Sequence, residues 1–309
     1  SMGEKARVDM DYMCELTGKT EEEIFADLKG VIFLNPMHGY GNSTQAKYLM
    51  ADEYLSGNVR EKLVLARKSA ELYPEDYTVN VEALERVQPK DLTASEIAVR
   101  LGATWLPTEI VEQFMFEFLG TPRYAQWNIK VHFSAYTGEW NIEGKSYDRS
   151  NVKAYSTYGT GRINAYKIIE ETLNLKDVRI FDYVEDADGK KKAVLNKKET
   201  AIAQAKQELI KQGFQDWVWS DPERREWLCR LYNDKFNSLR PREYDGSHIV
   251  FSGMNPEIEL REHQRNAVAH ILYGGNTLLA HAVGAGKTFE MVSAAMESKR
   301  LGLCSKSLF

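Results

Sequence analysis

The segment that most narrows the possible folds is His281-Ala282-Val283-Gly284-Ala285-Gly286-Lys287-Thr288, set between a short apolar run from Thr277 to Ala280 and a helical run from Thr288 to Arg300. Glycines let a backbone wrap an anion, so that successive amides and a helix N-terminus point at phosphate oxygens. Between a strand and a helix, the lysine of such a loop reaches the β- and γ-phosphates and the threonine hydroxyl ligates magnesium. Gly284, Ala285, Gly286, Lys287 and Thr288 are therefore read as a nucleotide-phosphate loop, with Thr288 also touching Mg2+ through the nucleotide. One position departs from the full pattern, which has Gly where His281 stands; a packed or hinge role is expected for that histidine. Thr17-Gly18-Lys19-Thr20 repeats the Gly-Lys-Thr ending, but no apolar strand precedes it, so it reads as a helix-cap turn.

Composition bounds the rest. The chain has 309 residues, 40 Lys and Arg against 45 Asp and Glu, and 43% hydrophobic residues, which excludes a disordered tail or a collagen-like fibre. That length suggests about two or three folded units. Cys14, Cys229 and Cys304 are far apart and odd in number, which argues for a reducing compartment and against a disulfide framework. No apolar run reaches the roughly 18 residues of a membrane helix and no signal-peptide core opens the chain, so a cytoplasmic protein without a membrane partner is expected. Acidity concentrates at the N-terminus: residues 1–92 hold 11 Lys and Arg against 17 Asp and Glu, the remainder 29 against 28. A whole-domain basic footprint for nucleic acid is thus missing, and DNA contact would have to come from local patches.

The patterns predict an α+β chain in three parts: 1–92, an acidic, all-helical unit; 93–247, an α+β unit suited to DNA binding or docking; and 248–309, a partial α/β segment carrying the loop. In the first, Thr20 with Glu21, Glu22 and Glu23 opens a helix, a loop runs from Asn35 to Thr44, helical spacing from Ala46 to Glu71 breaks at Ser56-Gly57-Asn58, and Pro74 and Pro89 bracket another helix. In the second, Thr93 to Glu96 fits a capping box, and a helix follows Pro107-Thr108 as far as Gly120. Ile129, Val131 and Phe133 then alternate with polar residues ahead of Trp140 and Ile142, which is a hairpin signal. Helix is expected over 161–174, strand over 178–183, a charged turn from Asp186 to Lys192 around Asp188-Gly189, and two long helices near 197–217 and 222–237. In the third, Leu260 to Leu272 is a helix and Thr277 to Ala280 a buried strand.

Leu260-Arg261-Glu262-His263-Gln264 ahead of a strand and a Gly-x-Gly-Lys-Thr loop resembles the adenine-reading element of SNF2-type superfamily-2 helicases. The resemblance implies a RecA-like lobe, ATP with Mg2+, Gln264 on the adenine edge and Arg261 packed on the base. A wider resemblance rests on Asp52-Glu53-Tyr54-Leu55-Ser56-Gly57-Asn58-Val59-Arg60, Arg100-Leu101-Gly102-Ala103-Thr104-Trp105, Tyr158-Gly159-Thr160, Arg240-Pro241-Arg242-Glu243-Tyr244-Asp245-Gly246-Ser247-His248 and Leu279-Ala280-His281. These are similar to the large proteins of phages and integrative conjugative elements that join an N6-adenine methylase to a SNF2-type helicase and include antirestriction proteins. That implies the connecting region plus the start of the motor, with double-stranded DNA and the methylase region of the same parent chain as partners. Asn35-Pro36-Met37-His38 is a poor match to the Asn-Pro-Pro-Tyr methylase motif, and no methyltransferase activity is implied.

Hydrolysis by such a motor needs an Asp-Glu pair on a second strand, and the carboxylates after Thr288 are Glu290 and Glu297, both on the helix leaving the loop. The chain therefore reads as a fragment that binds nucleotide but has no catalytic residues of its own. The competing reading is a non-catalytic module that binds DNA or docks the methylase. A third class, a P-loop kinase or transferase, needs a lid and acceptor site for which no sequence remains. Arg224, Arg225, Arg240 and Arg242 are candidate DNA-backbone contacts. Lys190 to Lys192 with Lys197 and Lys198 are expected to be solvated, Trp217, Trp219, Trp227 and Tyr232 to be core aromatics, and the histidines and cysteines show no metal spacing.

Overall fold

The computed structural model describes residues 1–38, 45–185 and 191–309. The first 90 residues hold the helices α1 Met2–Lys5, α2 Met10–Thr17, α3 Glu21–Asp27, α4 Ala51–Tyr54, α5 Val59–Leu72 and α6 Pro74–Arg86. The strands β1 Ile32–Leu34, β2 Tyr48–Met50 and β3 Gly57–Asn58 alternate with them. Then come α7 Thr108–Leu119, α8 Arg123–Gln126, β4 Lys130–Ser134, β5 Glu139–Glu143, a π-helical turn Lys153–Thr157, α9 Ala165–Leu173, β6 Phe181–Glu185, β7 Lys191–Leu195, α10 Lys197–Val218 and α11 Pro222–Phe236. The chain finishes with β8 Leu239–Arg240, α12 Glu262–Gly274 and α13 Lys287–Arg300. The fold is α+β with small sheets, each an antiparallel pair: β1 with β2, β3 with β8, β4 with β5 and β6 with β7.

Two compact units result, one of Ser1–Lys90 with Phe236–Phe309 and the other Asp91–Lys235. In the Asp91–Lys235 unit, Phe114 and Met115 of α7, Ile168 and Ile169 of α9, and Ile210 and Phe214 of α10 are fully buried in one core. Each such side chain contributes about 1.5–3 kcal/mol relative to exposure. The hairpin follows its period of two: Val131, Trp140 and Ile142 point inward, while Lys130, His132, Glu139 and Glu143 face solvent. Arg224 caps the end of α10, its guanidinium bonding Val218 O and Trp217 O at 3.1 and 2.6 Å and lying over the Trp217 ring.

In the other unit, Met10, Ile24 and Ile32 form a small core under α2, α3 and β1. Phe33, Tyr54, Val59 and Leu84 form a second, and Ile249, Val268, Leu272 and Ala294 a third between α12 and α13. Arg242 joins distant stretches of this unit, pairing with Asp52 at 2.8 Å and Glu53 at 3.7 Å and bonding Tyr273 O.

Three local expectations are corrected. Residues 1–92 are not all helical, because Ile32–Leu34 and Tyr48–Met50 pair as strands, three residues each and too short to alternate visibly in sequence. Glu96 does reach back to the Thr93 amide at 2.9 Å, yet only a turn follows. Ile97, Val99 and Leu101 are buried while Ala98 and Arg100 are exposed, so burial with a period of two overrides the cap signal. Thr277 to Ala280 is irregular and Leu278 is 86% exposed, because no described strand lies beside it to complete a ladder. The turn at Asp188-Gly189 and most of the Asn35 to Thr44 loop fall outside the described residues.

Candidate nucleotide-binding site

The loop between α12 and α13 is shaped by two glycines with left-handed backbones, Gly284 at φ 85° and Gly286 at φ 92°, a region costly for any residue with a Cβ. Gly286 is the N-cap of α13, and its carbonyl accepts from the Phe289 amide at 2.9 Å and the Glu290 amide at 3.3 Å. The amides of Lys287 and Thr288, in the first helical turn, have no intrahelical acceptor and are free to meet an anion. Lys287 Nζ turns back over the loop and donates to His281 O at 2.8 Å and Ala282 O at 3.1 Å. Thr288 is exposed beside it.

α12 braces the loop from below. Gln264 is buried; its Oε1 accepts from the Arg261 amide at 2.9 Å and its Nε2 donates to Ala285 O at 3.1 Å. His263 Nε2 lies 3.0 Å from the same carbonyl. A Cβ built on Gly286 would stand 2.2 Å from Gln264 Nε2, so a side chain there is strained by φ and also displaces the Gln264 amide. The structure thus brings Gln264 against Ala285 and Gly286 of the loop, while the Arg261 side chain is exposed at the N-cap.

Two residues of this site escaped the sequence reading as participants. Glu290, fully buried, accepts from His281 Nδ1 at 2.8 Å through Oε1, and its Oε2 has no partner. His263 stands edge-on to His281, ring centroids 5.5 Å apart. The available signal was a carboxylate two residues beyond Thr288, on the same helical turn as the loop's lysine. Glu297 is also buried and pairs with Arg300 at 2.8 Å.

The candidate DNA contacts fall in different settings. Arg224 is buried at the end of α10, and its neighbour Arg225 is exposed on α11. Arg240 bonds Leu55 O at 3.1 Å from β8, and Arg242 is spent on Asp52, Glu53 and the Tyr244 ring. Trp217 and Trp219 pack on the core, Tyr232 meets Trp105 edge-on, and Trp227 is 45% exposed. Lys191, Lys192, Lys197 and Lys198 are exposed, and Lys190 lies outside the described residues. Thr17 to Thr20 is a cap turn: Gly18 ends α2 and the Thr20 side chain caps α3. Among the described residues no helix is long and apolar enough to cross a membrane.

Residues 1–45 match the winged helix domain of a probable helicase. The likeness covers α1, α2, α3 and β1 and relates this segment to helicases. Residues 100–238 match a domain of unknown function (DUF8437), which takes in α7 to α11. No curated protein and no solved structure matches the chain.

Proposed function

We propose that the chain is part of an ATP-dependent, helicase-related DNA motor and that its loop from His281 to Thr288 takes the phosphates of ATP with Mg2+. One observation carries the reading: Gly284 and Gly286 shape a loop whose lysine folds back on the loop's own carbonyls while the adjoining helix begins with unpaired amides. A lysine so placed exchanges carbonyl acceptors for phosphate oxygens when an anion arrives. Lys287 then contacts the β- and γ-phosphates, the Lys287 and Thr288 amides contact phosphate oxygens, and the Thr288 hydroxyl ligates Mg2+, which neutralises phosphate charge. Gln264 reads adenine by releasing Ala285 O, since its amide offers both a donor and an acceptor, and Arg261 lies against the base from the N-cap of α12.

The winged helix likeness at residues 1–45 supports a helicase origin, and the loop supports the motor's first lobe. Descent from a methylase-fused, antirestriction-like parent rests on the sequence resemblance, as does docking to a methylase region. Turnover by this chain is not expected, because Glu290 and Glu297 are both buried on the helix that leaves the loop rather than on a second strand. Titrating the chain with ATP and Mg2+, alongside a phosphate-release assay with and without duplex DNA, tests the reading: binding without DNA-stimulated release is expected, and failure to bind ATP refutes it.

The non-catalytic DNA-binding reading has the winged helix likeness in its favour. Electrostatics weighs against duplex contact through that segment, which holds four Lys and Arg against eight Asp and Glu, three of the latter in the first turn of α3. Of the candidate arginines, Arg225 is the exposed one that this reading would use.

A further inference from the structure

We propose that His281 is a ligand of the nucleotide's phosphate tail, held ready for that contact by the buried carboxylate of Glu290; the inference rests on the nucleotide-loop reading above. His281 occupies the position where the full loop pattern has glycine, so its side chain adds a group that the pattern lacks. The carbonyl of the same residue accepts from Lys287 Nζ at 2.8 Å, which puts His281 beside the ammonium that meets the phosphates. Its imidazole is not packed away: the side chain keeps 35% of its exposure.

The ring is oriented by one strong contact. Nδ1 lies 2.8 Å from Glu290 Oε1, and a carboxylate can only accept, so Nδ1 carries a hydrogen. Nε2 is left without a partner among the described residues. Glu290 itself is wholly buried one helical turn from Lys287, with Oε2 unsatisfied. A buried carboxylate with an orphaned oxygen is costly unless a neighbour draws on its charge. A carboxylate behind an imidazole fixes the ring's tautomer and direction, the arrangement by which proteins aim Nε2 at a reacting or binding partner. With Nδ1 engaged by Glu290, Nε2 is the ring nitrogen left to donate to a phosphate oxygen. The titratable groups facing the ring are Glu290 and Lys287 from α13 and His263 from α12.

The test is calorimetric titration of the full chain with ATP, inorganic tripolyphosphate and adenosine, for the wild type, His281→Asn, His281→Gly and Glu290→Gln, with folding checked by far-UV circular dichroism. His281→Asn is expected to weaken ATP and tripolyphosphate about tenfold, the loss of one charge-assisted hydrogen bond, and to leave adenosine unchanged. Glu290→Gln, which keeps an acceptor for Nδ1 but loses the charge, weakens the same two ligands by less. His281→Gly restores the glycine of the pattern, and on this account it still loses affinity; ATP binding as tight as wild type or tighter overturns the proposal. So does an equal loss for adenosine and ATP, which would show only a disturbed loop. Should His281→Asn fail to fold, His281→Gly and Glu290→Gln carry the decision. A wild type that binds neither ATP nor tripolyphosphate removes the nucleotide reading and this inference together. Binding abolished by Lys287→Ala but untouched by the His281 variants removes this inference alone.

Discussion

Replacing Gly286 with alanine separates two effects that the loop combines. At φ 92° a Cβ costs about 1–2 kcal/mol in backbone strain. The new methyl would also stand 2.2 Å from Gln264 Nε2 and drive the amide off Ala285 O, costing about another 1 kcal/mol for that hydrogen bond. The total is about 2–3 kcal/mol. Gly284→Ala is the control, with φ 85° and nothing within 4 Å of its Cβ, so only the backbone part, about 1–2 kcal/mol, applies. All six tryptophans lie between Trp105 and Trp227, inside the Asp91–Lys235 unit, so intrinsic fluorescence does not report on the loop. Amide hydrogen exchange of α12 and α13 does. In a Gln264→Ala background the contact is already gone, and Gly286→Ala should then cost about 1 kcal/mol less than it does alone. Equal costs for the two glycines, or strict additivity with Gln264→Ala, would refute the idea that α12 braces the loop.

Other outcomes follow from the same geometry. Arg224→Ala should destabilise the Asp91–Lys235 unit by about 2–3 kcal/mol in urea titrations followed by tryptophan fluorescence, since two carbonyls at the end of α10 and the Trp217 face lose their partner, while Arg225→Ala should be neutral. Arg242→Ala leaves Asp52 and Glu53 without their cation and should lower stability by about 1–3 kcal/mol, read by circular dichroism at 222 nm, with no recovery in Arg242→Lys, which cannot serve Asp52 and Tyr273 O together. Burial raises the Glu170 pKa, but hydrogen bonds from Lys145, Lys167 and the Ile142 amide outweigh it, and the net shift is downward from 4.5. A depressed carboxylate stabilises the folded state above its unfolded pKa, so this contribution is complete above about pH 4.5 and disappears as pH falls through the lower folded value. Glu170→Gln should flatten that acid limb in pH-dependent melting.

The readable parts of the sequence were those where one local rule acted alone. Thr20 and Pro74 start helices where a side-chain acceptor and a fixed φ dictate, and the β4–β5 hairpin shows its alternation because one face is buried. The turn ahead of α13 was legible because Gly284 and Gly286 mark left-handed backbone where a helix is about to start. What escaped depended on distant partners. β1 and β2 are short strands that pair with each other, and Thr277 to Ala280, apolar enough for a strand, lacks one beside it among the described residues. The exposed stripe of Phe289, Val292 and Met296 on α13 shows the same point, for helical spacing cannot say whether a face finds a cover. Arg224 and Arg242 read as free cations because their acceptors, backbone carbonyls in one case and Asp52 in the other, leave no mark near them in sequence. Glu290 belongs with His281 only once the turn of α13 brings them to 2.8 Å.

The central claim, that the loop from His281 to Thr288 holds nucleotide phosphates, is tested most directly by titrating the full chain and its Lys287→Ala variant with ATP and Mg2+ in a calorimeter. Saturable one-site binding by the wild type, weakened at least about tenfold in the variant, is the predicted result. No heat from the wild type, or equal affinity in the two proteins, would contradict it.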